Sequence, residues 1–428
     1  MFQGGKGDLV EALFRRVFST NWFNNTHKTR QKEAWDCKKY WIFSHPPYFS
    51  ILLKASSAMI IRSCMPCTVV QAFGVKQPPK SQSYQHTSKG FLPKSHFKAV
   101  LVDTRTLMCE AGTVIDIGGG RLESSLKELT EYQFLGSNGG NPRDLPTGLF
   151  YNTRGLKIWK DITHLPEYQQ TQDEINLLNS FKGQIADWIV EGCTIVDMAH
   201  LEQLKVEVQY FALDLSKQAL EQTMEQLVPE FHYVRCFGLW GDFSDGLNWL
   251  RPVKSPKLIL SLGSMFGNDE FSLAVSRLEE WKHVMGRNDL MLLGLDACDY
   301  LPELWESYHD PQRVWDSFIR NGLKYSNEVL RCDWYKEEDW QISGRIDSSP
   351  DTVHRFSIIA RRDVHCHPLG LHFSAGERVD FFEAWKYGPE RMRSQFKMAG
   401  FAEVERWQAP GNRPFYEYLL MNSDFTKY

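Results

Sequence analysis

The chain has 428 residues, 42% hydrophobic and 13% aromatic, enough to bury a sizeable core and to form two or three domains. Its formal charge of −4 divides unevenly: residues 1–110 hold 16 Lys+Arg against 6 Asp+Glu, a net of +10, and the remainder holds 33 against 47, a net of −14. Nine cysteines, odd in number and without a regular framework, exclude a disulfide scaffold and point to a reducing, cytoplasmic setting.

Residues 1–109 show no clear periodicity. Tracts such as KQPPK at 76–80 and SQSYQHTSK at 81–89 have the composition of loop or disorder. A basic arm can touch nucleic acid or anionic lipid, but no nucleic-acid-binding motif accompanies this charge, and neither partner is expected. The first residues are polar and charged, unlike a secretory signal. Apolar patches between Trp41 and Met65 are broken by His45, two prolines, Lys54 and Arg62, so they fall short of a membrane span. Residues 1–112 read as a poorly ordered basic extension or a mis-predicted start. Cys64 and Cys67 form a CxxC with no second pair at zinc-ribbon spacing, and His365-Cys366-His367 reads as a surface or strand-edge cluster; no metal site is expected.

TVIDIGGG at 113–120 has the form of a strand ending in Asp and a glycine turn, with a helix to follow at 121–131. No acidic residue closes a second strand about 20 residues on, which argues against a nucleotide cradle there. Residues 149–178 concentrate aromatic side chains, and the spacing of Tyr151, Trp159 and Tyr168 need not place them on one helix face. Thr171 followed by Glu174 has the form of a capping box, opening a helix that reaches toward Trp188. Strands are predicted at 194–198 and 208–215. Asp214 closes the second, where a carboxylate can accept two hydrogen bonds from a ribose diol. Only residues 199–207, none of them glycine, join these strands. A parallel crossover needs about a dozen residues or more, so a glycine turn and most of a crossover helix are missing from the sequence.

A helix at 216–226 leads to a strand at 231–238 and to Gly241-Asp242-Phe243, where Asp242 can accept from an adenine amino group while Phe243 covers the ring. KLILSLGSMFGN at 257–268 organises the remainder. Its apolar run suits a strand buried on both faces, its glycines at 263 and 267 permit close approach, and Asn268 offers both donor and acceptor. In open α/β sheets, ligands sit beyond the carboxyl ends of such strands. A helix at 272–284, a strand at 289–296 and a helical pattern at 300–322 carrying Tyr308 follow. Alternation across 332–366 predicts antiparallel strands. A strand at 378–385, a helix at 389–399 and closing strands within 404–420 complete an α/β chain with a mostly parallel sheet.

Taken together, FYNTRGLKIWKDITHLPEY, YFALDLS, HYVRCFGLWGDFSDGLNWL, LILSLGSMFGN and KYGPE resemble one family. It is that of the S-adenosylmethionine-dependent, histidine-specific methyltransferases of ergothioneine synthesis and their fungal relatives. The likeness is nearest to the dimethylallyltryptophan N-methyltransferases of ergot-alkaloid pathways. It runs from about Thr113 to Met421, and TVIDIGGG resembles the lead-in to the signature. The resemblance implies a Rossmann-like α/β methyltransferase domain over 113–425, with an inserted α+β substrate-binding subdomain at 299–386. It implies S-adenosylmethionine as cofactor and a small amino acid derived from tryptophan as substrate, the alternatives being histidine, another amino acid, or an inactive relic. Tyr168, Asp214, Asp242, Phe243 and Gly263 resemble the cofactor contacts. Asn268 and Tyr308 resemble the pair that grips the amino-acid head group, and Tyr151 and Trp159 resemble walls of the substrate pocket.

Two departures carry weight. Histidine-specific members have Glu-x-Ser before the motif that reads Trp385-Lys386-Tyr387 here, and those two side chains bind imidazole. Phe382 and Ala384 stand in their places, which suits an apolar aromatic side chain. A fused second catalytic module, common in fungal ergothioneine synthesis, is not expected on this reading. The second departure is the glycine loop after the first strand, replaced by Met198-Ala199-His200, so the sequence predicts weak cofactor binding unless that segment is restored.

Overall fold

The computed structural model describes residues 109–135, 143–186, 188, 208–253 and 257–425. The basic segment with Cys64 and Cys67, the strand expected at 194–198 and the junction at 199–207 lie outside the described residues.

Strand β1 (Val114–Asp116) is followed by α1 (Leu122–Thr130), the two-residue β2 (Arg143–Asp144), α2 (Thr153–Ile162) and α3 (Gln170–Ala186). Next come β3 (Val208–Asp214), α4 (Lys217–Leu227), β4 (Val234–Trp240), α5 (Phe243–Leu250), β5 (Leu258–Ser261), α6 (Phe271–Lys282) and β6 (Leu290–Asp296). Helices α7 (Leu301–Tyr308) and α8 (Val314–Leu330) precede β7 (Trp340–Asp347), β8 (Thr352–Ala360), β9 (Val364–Cys366), β10 (Leu371–Phe373) and β11 (Arg378–Lys386). Helix α9 (Pro389–Met398), β12 (Phe401–Gln408) and β13 (Phe415–Asn422) close the fold.

The architecture is α/β, with parallel strands in two sheets and a third sheet that is largely antiparallel. One sheet runs β1-β4-β3, all parallel, and a second runs β12-β13-β6-β5, with β5 and β6 parallel and β13 reversed against β6. The apolar runs explain the strands: β6, LMLLGLD, is buried at its five central positions, as a strand covered on both faces must be. Helix α5, which leaves β4, places Leu247 in one apolar cluster with Ile259, Phe266 and Leu293, so the helix after β4 packs with β5 and β6. A third sheet, β2-β11-β8-β7, is antiparallel apart from the β2–β11 pairing. Its inner face and helices α2, α7 and α8 enclose a separate cluster dominated by aromatic rings. No helix among the described residues is long and apolar enough to cross a membrane.

Three local expectations need correction. Thr171 is not a helix cap, because α3 already begins at Gln170. Glu174 closes no capping box; it is fully buried, and its two carboxylate oxygens accept the Gly263 amide at 2.9 and 3.1 Å. The helical pattern at 300–322 is two helices. Asp310 interrupts it by accepting the Val314 and Trp315 amides at 2.7 and 2.9 Å, and Arg313 between them takes a left-handed conformation, φ 59°. Competing side-chain bonds of this kind start a new helix where periodicity alone would continue the old one. The third correction is at 231–238, where the strand lies later and ends at Trp240.

At the amino ends of β5 and β6, Lys257 and Asp289 form a buried ion pair at 2.6 Å, and Asp289 also accepts the Lys257 and Gly286 amides at 2.8 and 2.7 Å. Removing one partner strands a buried charge. Asp289→Ala is expected to lower the unfolding free energy by roughly 3–5 kcal/mol, read from the urea midpoint.

Candidate active site

Strands β3 and β4 present their carboxyl ends side by side in one sheet, and β5 and β6 do so in another, not in the single parallel sheet expected. Asp214 is the last residue of β3 and stands in register with Trp240, the last residue of β4, so Asp242 follows two residues beyond that edge. Asp214 is buried, and its Oδ1 accepts the Ser216 amide at 2.6 Å. Burial pushes its carboxyl up to about 7, against the pull of the Ser216 and Leu215 amides. Asp242 is the N-cap of α5: its Oδ1 accepts the Asp245 amide at 2.8 Å, and Asp245 reciprocates on the Asp242 amide at 3.2 Å. Arg121 bonds Asp245 at 2.9 Å, which ties the glycine turn after β1 to this helix start. Phe243 is half-buried, with its ring edge-on to Phe266 and Trp281 at 6.2 and 6.1 Å.

Gly263 lies two residues past the end of β5 with φ 88°, a left-handed conformation that glycine adopts without strain. The turn continues through Ser264, whose Oγ accepts the Asp296 amide at 3.0 Å, to the half-buried Asn268. Asn268 Oδ1 accepts the backbone amide of Trp385 in β11 at 2.5 Å. The end of β5 is thereby joined to the third sheet.

On that sheet, β11 carries a bulge between Asp380 and Phe382. The extra residue places Phe382, Ala384 and Lys386 in one phase, all buried, after Val379 and Phe381. Phe382 lies opposite Phe356 and Ala384 opposite His354 on β8. Tyr308, at the end of α7, stacks on the His354 ring at 4.6 Å and lies 6.3 Å from Phe382.

The aromatic positions picked out in the sequence converge here. Tyr151 and Trp159 meet edge-on at 5.6 Å, Trp159 and Tyr168 at 5.8 Å, and Tyr168 and Tyr308 at 6.3 Å. Burial and the neighbouring Tyr308 raise the Tyr151 phenol. Trp315 stands among them, within 6.0 Å of Trp159, Tyr168, Tyr308 and Phe382. The sequence reading missed it, along with His354, His309 and Lys386. Trp315 follows a helix break that periodicity conceals, and His354 reaches the cluster only through the β8–β11 register. Lys386 was hidden in the same way, since alternation from Phe381 turns it outward and only the bulge in β11 brings it in.

Lys386 Nζ contacts Asp296 Oδ2 at 2.6 Å, the Tyr308 hydroxyl at 3.1 Å and Gln170 Oε1 at 3.2 Å. Burial pulls its ammonium down, but Asp296 and Tyr308 outweigh this and hold it raised. His309 and His354 touch through their Nε2 atoms at 3.0 Å, and Trp305 stacks on His309 at 3.7 Å. Burial lowers both imidazoles, His309 to about 4 and His354 to about 3. Among the described residues no group of three His, Cys, Asp or Glu could hold a metal.

For the adenosine part of S-adenosylmethionine the donor set fits. A buried carboxylate ends β3, a capped acidic turn follows β4, and a left-handed glycine follows β5. Residues 198–207, where the resemblance implies a glycine loop, lie outside the described residues.

The histidine pair gives a pH dependence with a definite sign. Both groups bind protons less readily folded than unfolded, so stability falls as pH drops from about 6.5 toward about 4. His354→Leu is expected to flatten that slope, measured as the thermal midpoint against pH.

Residues 126–422 match the family described as histidine-specific methyltransferase, SAM-dependent. Ergothioneine biosynthesis protein 1 of Neurospora crassa is 33% identical over 310 residues, 69% of this chain and 35% of that protein, so the chain spans about a third of its length. 4-Dimethylallyltryptophan N-methyltransferase easF of Arthroderma benhamiae is 28% identical over 333 residues, 70% of this chain and 94% of the relative. Among solved structures, the PH0226 protein of Pyrococcus horikoshii gives a TM-score of 0.33 at 12% identity, over 62% of this chain and 98% of that one. Matched across residues 126–422, well over half its length, the chain belongs to the family of histidine-specific, SAM-dependent methyltransferases.

Proposed function

We propose that this chain N-methylates the α-amino group of an amino acid with a bulky apolar aromatic side chain, of the dimethylallyltryptophan type, in alkaloid-like secondary metabolism. The observation that carries the reading is the inward phase of Phe382 and Ala384 on β11, beside Phe356, Trp315 and Tyr308. A side-chain site built from those groups offers little to the two ring nitrogens of imidazole and much to an indole face. Tyr151 and Trp159 are assigned to its walls, and residues 299–386 to a substrate-binding subdomain. Tyr168, Asp214, Asp242, Phe243 and Gly263 are assigned to cofactor contacts, and Asn268 and Tyr308 to the amino-acid head group.

When bound, S-adenosylmethionine supplies a methyl group on a sulfonium centre. The residues of this chain then hold the amine in line with that methyl and exclude water, an orientation effect that can supply roughly 7–11 kcal/mol of the barrier. The nucleophile must be the free amine, and desolvation among buried aromatic rings disfavours its protonated form. Aromatic faces nearby tolerate the sulfonium cation.

A histidine substrate is the second reading, favoured by the 33% identity with the Neurospora ergothioneine protein. Turnover of 4-dimethylallyltryptophan and of histidine by purified protein separates the two. The indole substrate is expected to win, and Phe382→Glu with Ala384→Ser is expected to shift the preference toward histidine by about 100-fold. Equal turnover of both substrates by the unmutated chain would defeat the proposal.

Cofactor binding is tested by calorimetry. Affinity for S-adenosylmethionine is expected to weaken as pH falls through about 7, where Asp214 gains its proton, and Asp214→Asn is expected to remove that dependence. A chain with a glycine-turn-plus-helix segment inserted after Met198 is expected to bind more tightly than the 428-residue chain. Micromolar binding by the unmodified chain would show that the segment at 199–207 suffices.

A further inference from the structure

Lys386 is a buried cation with its side chain only 2% exposed. An ammonium carries three protons and no acceptor. The structure supplies three acceptors: Asp296 from the end of β6, Tyr308 from the end of α7 and Gln170 from the start of α3. All three protons are thereby used, so Lys386 has no proton left for a ligand and no lone pair to serve as a base. Its effect must pass through what it holds.

The direction of the Lys386–Tyr308 bond is unambiguous. Because lysine only donates, the Tyr308 oxygen accepts, and the phenol keeps its own proton to give. A hydroxyl already facing one cation is a poor seat for a second, such as a substrate ammonium. It is a good donor to an anion. Asn268 is engaged in the same sense by the preceding residue: its Oδ1 accepts the Trp385 amide. Two consecutive residues of one strand thus engage both head-group residues.

We propose that Lys386 is a positioning residue that holds the Tyr308 hydroxyl as a hydrogen-bond donor to the substrate's carboxylate, leaving the amino group to be methylated. This rests on the assignment of Tyr308 to the amino-acid head group. Asp296 balances the lysine charge, so the site selects the carboxylate by directed bonds and not by net charge.

The test compares amino acids with the same molecules lacking the carboxylate. Binding of L-tryptophan against tryptamine, and of L-histidine against histamine, is measured by calorimetry on the full chain with excess S-adenosylhomocysteine. The unmutated protein is expected to prefer at least one amino acid over its amine by about ten-fold or more. Lys386→Met is expected to bring that ratio close to one while changing amine binding less than two-fold. If Lys386→Met does not fold, Lys386→Met with Asp296→Asn removes both charges and carries the same comparison. An equal loss on acid and amine, or an unchanged ratio, overturns the positioning role while leaving the head-group assignment standing. Failure of the unmutated chain to prefer either amino acid over its amine overturns both.

Discussion

One buried carboxylate holds the site elements together. Glu174 is fully buried in the first turns of α3, and both of its oxygens lie on the Gly263 amide. A carboxyl in that position is costly to bury unless donors replace its lost water. The contact also shapes β6: a Cβ on Gly294 would fall 2.1 Å from Glu174 Oε1 and 2.7 Å from Oε1 of the buried Glu417. Glycine at 294 is therefore what lets two carboxylates lie over the strand. The turn after β5 and the start of α3 are consequently fixed to each other.

From that anchor, α3 reaches the rest of the site. Gln170 accepts from Lys386, and Asp173 pairs with Arg413 at 2.9 Å, while Arg413 also bonds Glu303 of α7. A single helix start is thus bonded to the end of β5, to β11 and, through Arg413, to α7. Asn268 and Tyr308 sit on two of these elements, so the distance between them is set by hydrogen bonds and not by loop packing alone.

Much of this could be read from the amino acids in order. The buried strands were legible because LILS and LMLLGLD are apolar runs too short for helices and end in glycine or acid. The residues at the ends of those strands were legible as candidates through the likeness to a family. What escaped was set by geometry without local period. The β11 bulge brings Lys386 to the inner face beside Phe382 and Ala384, the two positions that the family likeness had marked, whereas simple alternation with Phe381 would point Glu383 and Trp385 inward. His354 becomes a neighbour of Ala384 only through register. Glu174 fits a capping box by spacing and is claimed by a backbone amide 89 positions away. Long-range partners of this sort leave no mark in a window of neighbouring residues.

The phase of β11 has a consequence for inheritance. Positions 382 and 384 face the aromatic rings, and position 386, two residues on along the same face, holds the Tyr308 hydroxyl. On the functional reading proposed, side-chain recognition and head-group recognition are adjacent but separately encoded. A lineage can exchange the two recognition residues by point substitution, without moving the lysine or the amide that orient the reacting end. New substrates then arise by drift along one strand, while the geometry of methyl transfer passes unchanged from copy to copy.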